Sequence, residues 1–128
     1  MTQMKKNIGN TLALYPTPAV VVGTEVNGKV NWLLVAHVGI IGHDSIMLSL
    51  FKKHYTNEGV RQTGKVSVNM VNEAMLPRAD YVGCASGAKK DKSDVFVWHR
   101  GDAGTPVIDE SQLVMECEVV DNYETETF

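Results

Sequence analysis

The sequence predicts a small, mainly β fold: an antiparallel β-barrel with short helices inserted at its ends. Three observations point there. Short apolar or alternating runs recur at 19–24, 30–36, 46–51, 65–71 and 113–123, lengths that suit strands better than helices. Asn27-Gly28 separates the first two runs, and this dipeptide supplies the positive φ that a type I′ hairpin turn needs at both centres. The helical signals are brief and fall between strands. No repeat, linker or composition shift divides the 128 residues, so a single domain over 1–128 is expected.

Residues 1–10 are polar and read as an arm. Tyr15-Pro16-Thr17-Pro18 is stiff and extended, because each proline fixes its own φ and restricts its predecessor. Ala19–Thr24 is β-branched and apolar, a strand whose hairpin partner is Val30–Ala36; the mixed faces of that partner place Asn31 and Trp32 near a rim. His37–Gly42 is a loop whose two glycines suit either a close approach to a ligand or a plain crossover. The third strand is Ile46–Phe51. Thr56 then caps a short helix that Gly64 closes.

Lys65–Val71 alternates, with Val66, Val68 and Met70 on one face and Ser67 and Asn69 on the other, as a half-buried strand would. Asn72–Leu76 forms a turn, Pro77 starts a helix running to about Ala85, and Gly87 is placed to follow its end. Gly87–Phe96 is a polar loop and Val97–Thr105 is irregular. Leu113–Tyr123 is a long strand with Leu113, Met115, Cys117 and Val119 on one face.

Composition narrows the function. Hydrophobic residues make up 44% and charged residues 21%, ordinary globular usage, and the net charge of -3 gives no reason to expect nucleic-acid binding. Cys84 and Cys117 lack metal spacing and cannot form a disulfide framework, so free buried thiols are expected. His37, His43, His54 and His99 show no zinc or triad spacing, and no metal site is assigned. No apolar run approaches the roughly 20 residues of a membrane helix, and the N-terminus lacks the apolar core of a signal peptide. The expectation is a cytoplasmic protein with no membrane partner. Nucleophile-elbow, P-loop and GxGxxG motifs are missing.

What remains is the stretch Ser45–Gly64. An apolar strand runs into Lys52, Lys53, His54 and Tyr55, then into Thr56 at a helix start. Helix-start amides, lysine charge and the Tyr55 and Thr56 hydroxyls together make an anion site; the plainer alternative is a solvated strand end beside an ordinary capped helix. A second cationic segment, 86–92, carries Lys89, Lys90 and Lys92 with Asp91, which a solvated loop would also explain. With the loop 36–42, the two segments would suit a phosphorylated, planar cofactor.

The sequence resembles the flavin reductase-like, FMN-binding split-barrel family, and most its flavoredoxin-type branch. The resemblance is carried by Tyr15–Gly23 (YPTPAVVVG), Asn31-Trp32, Ser49–Gly59 (SLFKKHYTNEG), Gly64–Asn69 (GKVSVN), Asp80–Gly87 (DYVGCASG), Asp91-Lys92-Ser93 and Glu116–Val120 (ECEVV), in one shared order over 15–120. It implies a Greek-key FMN-binding split barrel that dimerises, with flavin near the subunit interface. It places the FMN phosphate at Lys53, His54, Tyr55 and Thr56. The isoalloxazine would lie along Ala36, His37 and Val38 with Trp32 close by, and Ser86, Asp91 and Lys92 would close the site with the lysine near the ring.

The resemblance further implies an oxidoreductase that takes electrons from NADH, NADPH or a redox partner through bound FMN to a small-molecule or protein acceptor. A non-catalytic FMN electron carrier and a flavin-free binding or structural domain are the alternatives. Family members usually run past the position of Phe128, so a C-terminally incomplete barrel is expected.

Overall fold

A computed structural model describes residues 4–51 and 53–125. Lys52 and the last three residues, 126–128, lie outside the described residues. Eight strands and two helices follow in the order β1 Val20–Val26, β2 Lys29–Val35, β3 Val38–Ile40, β4 Ile46–Leu48, α1 Thr56–Thr63, β5 Lys65–Met70, α2 Leu76–Cys84, β6 Trp98–Arg100, β7 Pro106–Ile108 and β8 Val114–Glu118. The mainly β expectation holds. The five expected strands are present, some shorter than anticipated. Three short ones join them: β3 inside the loop 37–42, β6 inside the segment 97–105 and β7 just after it.

The central sheet is antiparallel in the order β2-β1-β5-β8, and β3–β4 and β6–β7 form separate two-stranded ribbons. Among the described residues these sheets do not close into one ring. Asn27 and Gly28 take φ 53 and 79, the positive values that the hairpin turn requires. Val20 pairs Val35 and Val26 pairs Lys29 across it.

Both faces of the sheet are covered, which is why β1 reads as a continuous apolar run rather than an alternating one. On one face Val21, Val30 and Trp32 pack with Met75, Ala79 and Val82 of the α2 region and with Phe96 and Ile108. On the other, Val20, Val22, Leu33, Val35, Val66 and Val68 pack with Val60 of α1 and with Val38, Ile46 and Leu48 of the β3–β4 ribbon. Helix α1 approaches β1 closely at Gly59, where a Cβ would fall 2.5 Å from Thr24 Cγ2 and 2.7 Å from the Glu25 carbonyl oxygen.

Several local expectations are corrected. Asn31 and Trp32 are not at a rim: they are 3% and 0% exposed. Ser67 and Asn69 do not face solvent either; both are buried. Asn69 donates to the Val21 carbonyl and to Ser67 Oγ, both at 2.9 Å, and its Oδ1 accepts from the Ile108 amide at 2.9 Å, so the polar pair docks β7 onto the sheet. Helix α2 begins at Leu76 after a short 3-10 turn, and its cap residue Ala85 is extended. Gly87 therefore is not a left-handed cap. Cys84, expected to be buried, is exposed.

Candidate functional site

Strand β2 is an edge of the central sheet, with α1 over one face and α2 over the other. The chain leaves α2 and loop 86–92 passes around that edge to meet the start of α1. Two contacts mark the passage. Lys29 Nζ at the hairpin lies 2.8 Å from Asp91 Oδ2. A Cβ on Gly87 would fall 2.3 Å from Asn31 Oδ1 and 2.6 Å from Tyr55 Cδ2, so only glycine lets the loop sit this close.

Leading into α1, the His54 amide donates to the Phe51 carbonyl at 2.9 Å, and Asn57 Nδ2 reaches the same oxygen at 2.9 Å. This tight turn projects Lys53 into solvent. Tyr55, not Thr56, occupies the cap position, and it makes no side-chain cap bond. Gly64 closes the helix at φ 68, as expected. The Asn57 and Glu58 amides donate to the His54 and Tyr55 carbonyls at 3.1 Å each. These two amides are therefore drawn inward, unlike the free first-turn amides that the sequence led us to expect. Thr56 is 1% exposed, and its Oγ1 accepts from Asn31 Nδ2 at 2.9 Å.

His54 packs edge-on to Phe51, with ring centroids 5.6 Å apart. Its Nδ1 is buried and has no hydrogen-bond partner among the described residues. Burial first, and the Lys92 charge second, hold its imidazole below the usual histidine range, so it is neutral at pH 7. Lys92 is not the exposed loop cation of the sequence reading. It is 2% exposed and donates to the carbonyls of Val82 at 3.0 Å and Ala85 at 2.7 Å. Burial pushes its amine down to about 8. Asp91 accepts from Lys29 and from the Ser93 amide, which hold its carboxyl well below the ordinary range.

The structure thus brings Tyr55, Asp91 and Lys92 together with Asn31 and Gly87, around a narrow cleft of about 30 Å³ that Val26, Lys29 and Lys90 also line. His54 adjoins it through the Lys92 field, Thr56 through Asn31, and Ser86 through Gly87. Ala36, His37 and Val38 stand apart, where β2 passes into β3; the Ser49 amide donates to the His37 carbonyl at 2.9 Å, tying them to the end of β4 and so to the Phe51–Tyr55 turn. Trp32 has no surface to offer a ligand. It lies beneath the sheet, edge-on to Phe96 at 5.6 Å.

Asn31 and Gly87 were missed as site residues. A lone asparagine in an apolar strand and a glycine after a helix carry no distinguishing local pattern, and only the fold shows that they meet. A wider groove of about 600 Å³ opens on the far side of Lys29, lined by Val30, Phe96, Trp98 and Arg100 among others. It shares Lys29 and Val30 with the narrow cleft.

Among the described residues no helix is long and apolar enough to cross a membrane, and no group of three His, Cys, Asp or Glu side chains is placed to hold a metal.

Comparison with known proteins supplies the family. No curated protein matches the chain. Among solved structures, flavoredoxin from Methanosarcina acetivorans is 37% identical with a TM-score of 0.87, the match covering 98% of this chain and 69% of that one. Flavoredoxin of Desulfovibrio vulgaris (Miyazaki F) is 30% identical at a TM-score of 0.87, covering 97% of this chain and 70% of that one. An FMN-binding protein from Thermus thermophilus, 18% identical, shares the fold at a TM-score of 0.84, over 98% of this chain and 71% of that one. Residues 12–128 match the family described as flavin reductase like domain, and the chain belongs to that family.

Proposed function

We propose that the chain binds FMN and works as a flavin reductase-like oxidoreductase, passing electrons from NADH, NADPH or a redox partner to a small-molecule or protein acceptor. The observation that carries this reading is the meeting of loop 86–92 with the start of α1 around Asn31 and Gly87, in a chain similar to two flavoredoxins. The residues present fit the group. Lys53 is exposed in the turn that leads into α1, and the loop adds Lys89 and Lys90, both exposed. The buried His54 Nδ1, without a hydrogen-bond partner among the described residues, is an open polar position in the turn that carries Lys53.

In this reading Lys53, Tyr55 and Thr56 hold the phosphate and His54 contributes a neutral ring, which adds a hydrogen-bonding group without a second positive charge at pH 7. The cleft of about 30 Å³ is far too small for a flavin ring. In the proposed arrangement the ring would lie outside it, along Ala36, His37 and Val38, and Ser86 and Asp91 would close the site. FMN, when bound, supplies the hydride and electron chemistry. The chain's own residues bind and orient it, and Lys92 contributes a fixed charge from beneath loop 86–92 rather than a direct contact.

The proposal includes a homodimer. Strand β8 pairs only with β5 among the described strands, and Leu113, Met115 and Val120 near it are 62%, 36% and 85% exposed. An unpaired strand edge with apolar neighbours is a surface that a second copy can cover.

Two measurements test the function. Titration of FMN into the protein should quench flavin fluorescence. Anaerobic mixing of the loaded protein with NADH and with NADPH should bleach the flavin. Quenching without bleaching by either nicotinamide would make the protein an electron carrier, and no quenching at all would remove flavin from its function. Sedimentation should show a dimer.

A further inference from the structure

The start of α1 and loop 86–92 reach the site from opposite sides of the β2 edge, and one buried side chain stands between them. Asn31 gives its Nδ2 to Thr56 Oγ1 at 2.9 Å. Its Oδ1 faces Gly87, where a Cβ would fall 2.3 Å away. Gly87 is not among the positive-φ glycines, so the demand for glycine at 87 is one of space and not of backbone conformation. The same amide therefore fixes a helix start on one side and sets the approach limit of a loop on the other.

We propose that Asn31 is a positioning residue for the flavin site: it sets the separation between the α1 start and loop 86–92 without touching the ligand. The proposal rests on the FMN reading above. Because Asn31 Nδ2 donates to Thr56 Oγ1, the Thr56 hydroxyl proton must point away from Asn31, which orients a donor of the proposed phosphate site. Because Oδ1 occupies the space beside Gly87, the loop can neither sink toward the sheet nor carry a larger residue there. The Tyr55 ring borders the same space, its Cδ2 falling 2.6 Å from where a Gly87 Cβ would lie.

The test is a double-mutant cycle on the full chain with Asn31→Ala, Gly87→Ala and both. The readouts are FMN and riboflavin affinity, with amide hydrogen exchange of Asn57 and Glu58 in the flavin-free protein. Gly87→Ala should weaken FMN tenfold or more and riboflavin less than threefold, because the displaced element is the phosphate end. It should also speed exchange of the Asn57 and Glu58 amides about tenfold. The double variant should bind FMN within twofold of Asn31→Ala alone, because removing the carboxamide opens the space the new methyl needs and the partly exposed Tyr55 ring can turn aside.

Losses that multiply in the double variant, or that fall equally on FMN and riboflavin, would overturn the proposal. If Asn31→Ala does not fold, unchanged amide exchange in Gly87→Ala overturns it. If the wild-type protein binds neither flavin, the FMN reading fails, and the exchange result alone decides whether Asn31 and Gly87 set the separation.

Discussion

Lys92 Nζ lies 2.7 Å from the Ala85 carbonyl oxygen and 3.0 Å from that of Val82, so a buried ammonium caps the C-terminal end of α2. Carbonyls at a helix end lack intrahelical partners and carry the negative end of the helix dipole. The lysine answers both, and in doing so it ties loop 86–92 to the helix that precedes it. Its role is first structural.

Lys92→Met should therefore lower the melting temperature, and the difference should depend on pH in a defined direction. Burial depresses the folded-state value to about 8 from the ordinary 10.5. Between those values the unfolded chain holds more protons on this group than the folded one, so its contribution to stability rises with pH. The melting-temperature advantage of wild type over Lys92→Met should grow from pH 7.5 to pH 10. An advantage that is constant or shrinks over that range would show that the amine is not buried in solution.

Gly23 tests the packing beneath the site. It lies on β1 opposite Trp32, and a Cβ there would fall 2.3 Å from Trp32 Cζ3 and 2.7 Å from Ser67 Oγ. Trp32 is fully buried against Phe96, so neither ring has room to yield. Gly→Ala in a strand ordinarily gains from reduced chain entropy. Here overpacking should outweigh that gain, costing roughly 1–3 kcal/mol or more. Urea denaturation of Gly23→Ala should show a lower midpoint; an unchanged midpoint would mean that the core around Trp32 is looser than the structure has it.

How far the sequence reveals this arrangement depends on the kind of signal. The β1–β2 hairpin was legible because Asn27-Gly28 has a backbone requirement few other residues meet, and the α1 stop was legible for the same reason at Gly64. Positions with tertiary causes were not. Ser67 and Asn69 alternate with valines and read as solvent-facing, yet they bond to Val21, Ile108 and each other in the interior. Lys92 sits in a run of charges and reads as solvated, and only the return of its loop to α2 buries it. The cationic turn Lys53–Tyr55 was legible as a cluster, but Asn31, which holds its helix in place, was not, because its partners are 25 and 56 residues away. Strands β6 and β7 escaped notice for a related reason: each is three residues long, too short for periodicity to register.

Those two short strands depend on Glu116 of β8. Its carboxylate accepts from the Thr105 hydroxyl at 2.5 Å and from the amides of Ala103 and Thr105 at 3.1 and 3.2 Å. These bonds hold the turn between β6 and β7, and they pull the Glu116 carboxyl below its usual range, the Thr105 hydroxyl contributing most. A carboxylate with a depressed folded-state value gives stability that is present above its unfolded value and lost as pH falls through the folded one. Glu116→Gln should lower the melting temperature at pH 7 and leave a variant less sensitive to acid below pH 4.5. Equal acid sensitivity in the two proteins would remove Glu116 from the account of the turn.

Lys53 offers the sharpest test of the proposed phosphate site. Among the described residues it is the exposed cation of the turn that leads into α1, where the Asn57 and Glu58 amides are already bonded. With those two amides turned inward, a larger share of the charge on a phosphate dianion falls to the ammonium. A charge-assisted hydrogen bond is worth roughly 1.5–3 kcal/mol, and 1.4 kcal/mol is about tenfold in affinity. Lys53→Ala should thus weaken FMN tenfold or more. Riboflavin, which has the same ring and no phosphate, should lose less than threefold. Raising salt should weaken FMN binding in the wild type more than in Lys53→Ala, since an exposed ion pair is screened and an absent one is not. Because Lys53 is solvent-facing, the variant should melt with the wild type, so a selective FMN loss cannot be put down to unfolding. Parallel losses for FMN and riboflavin, or no loss of either, would take Lys53 out of the phosphate site and leave it a solvated lysine at the end of a turn.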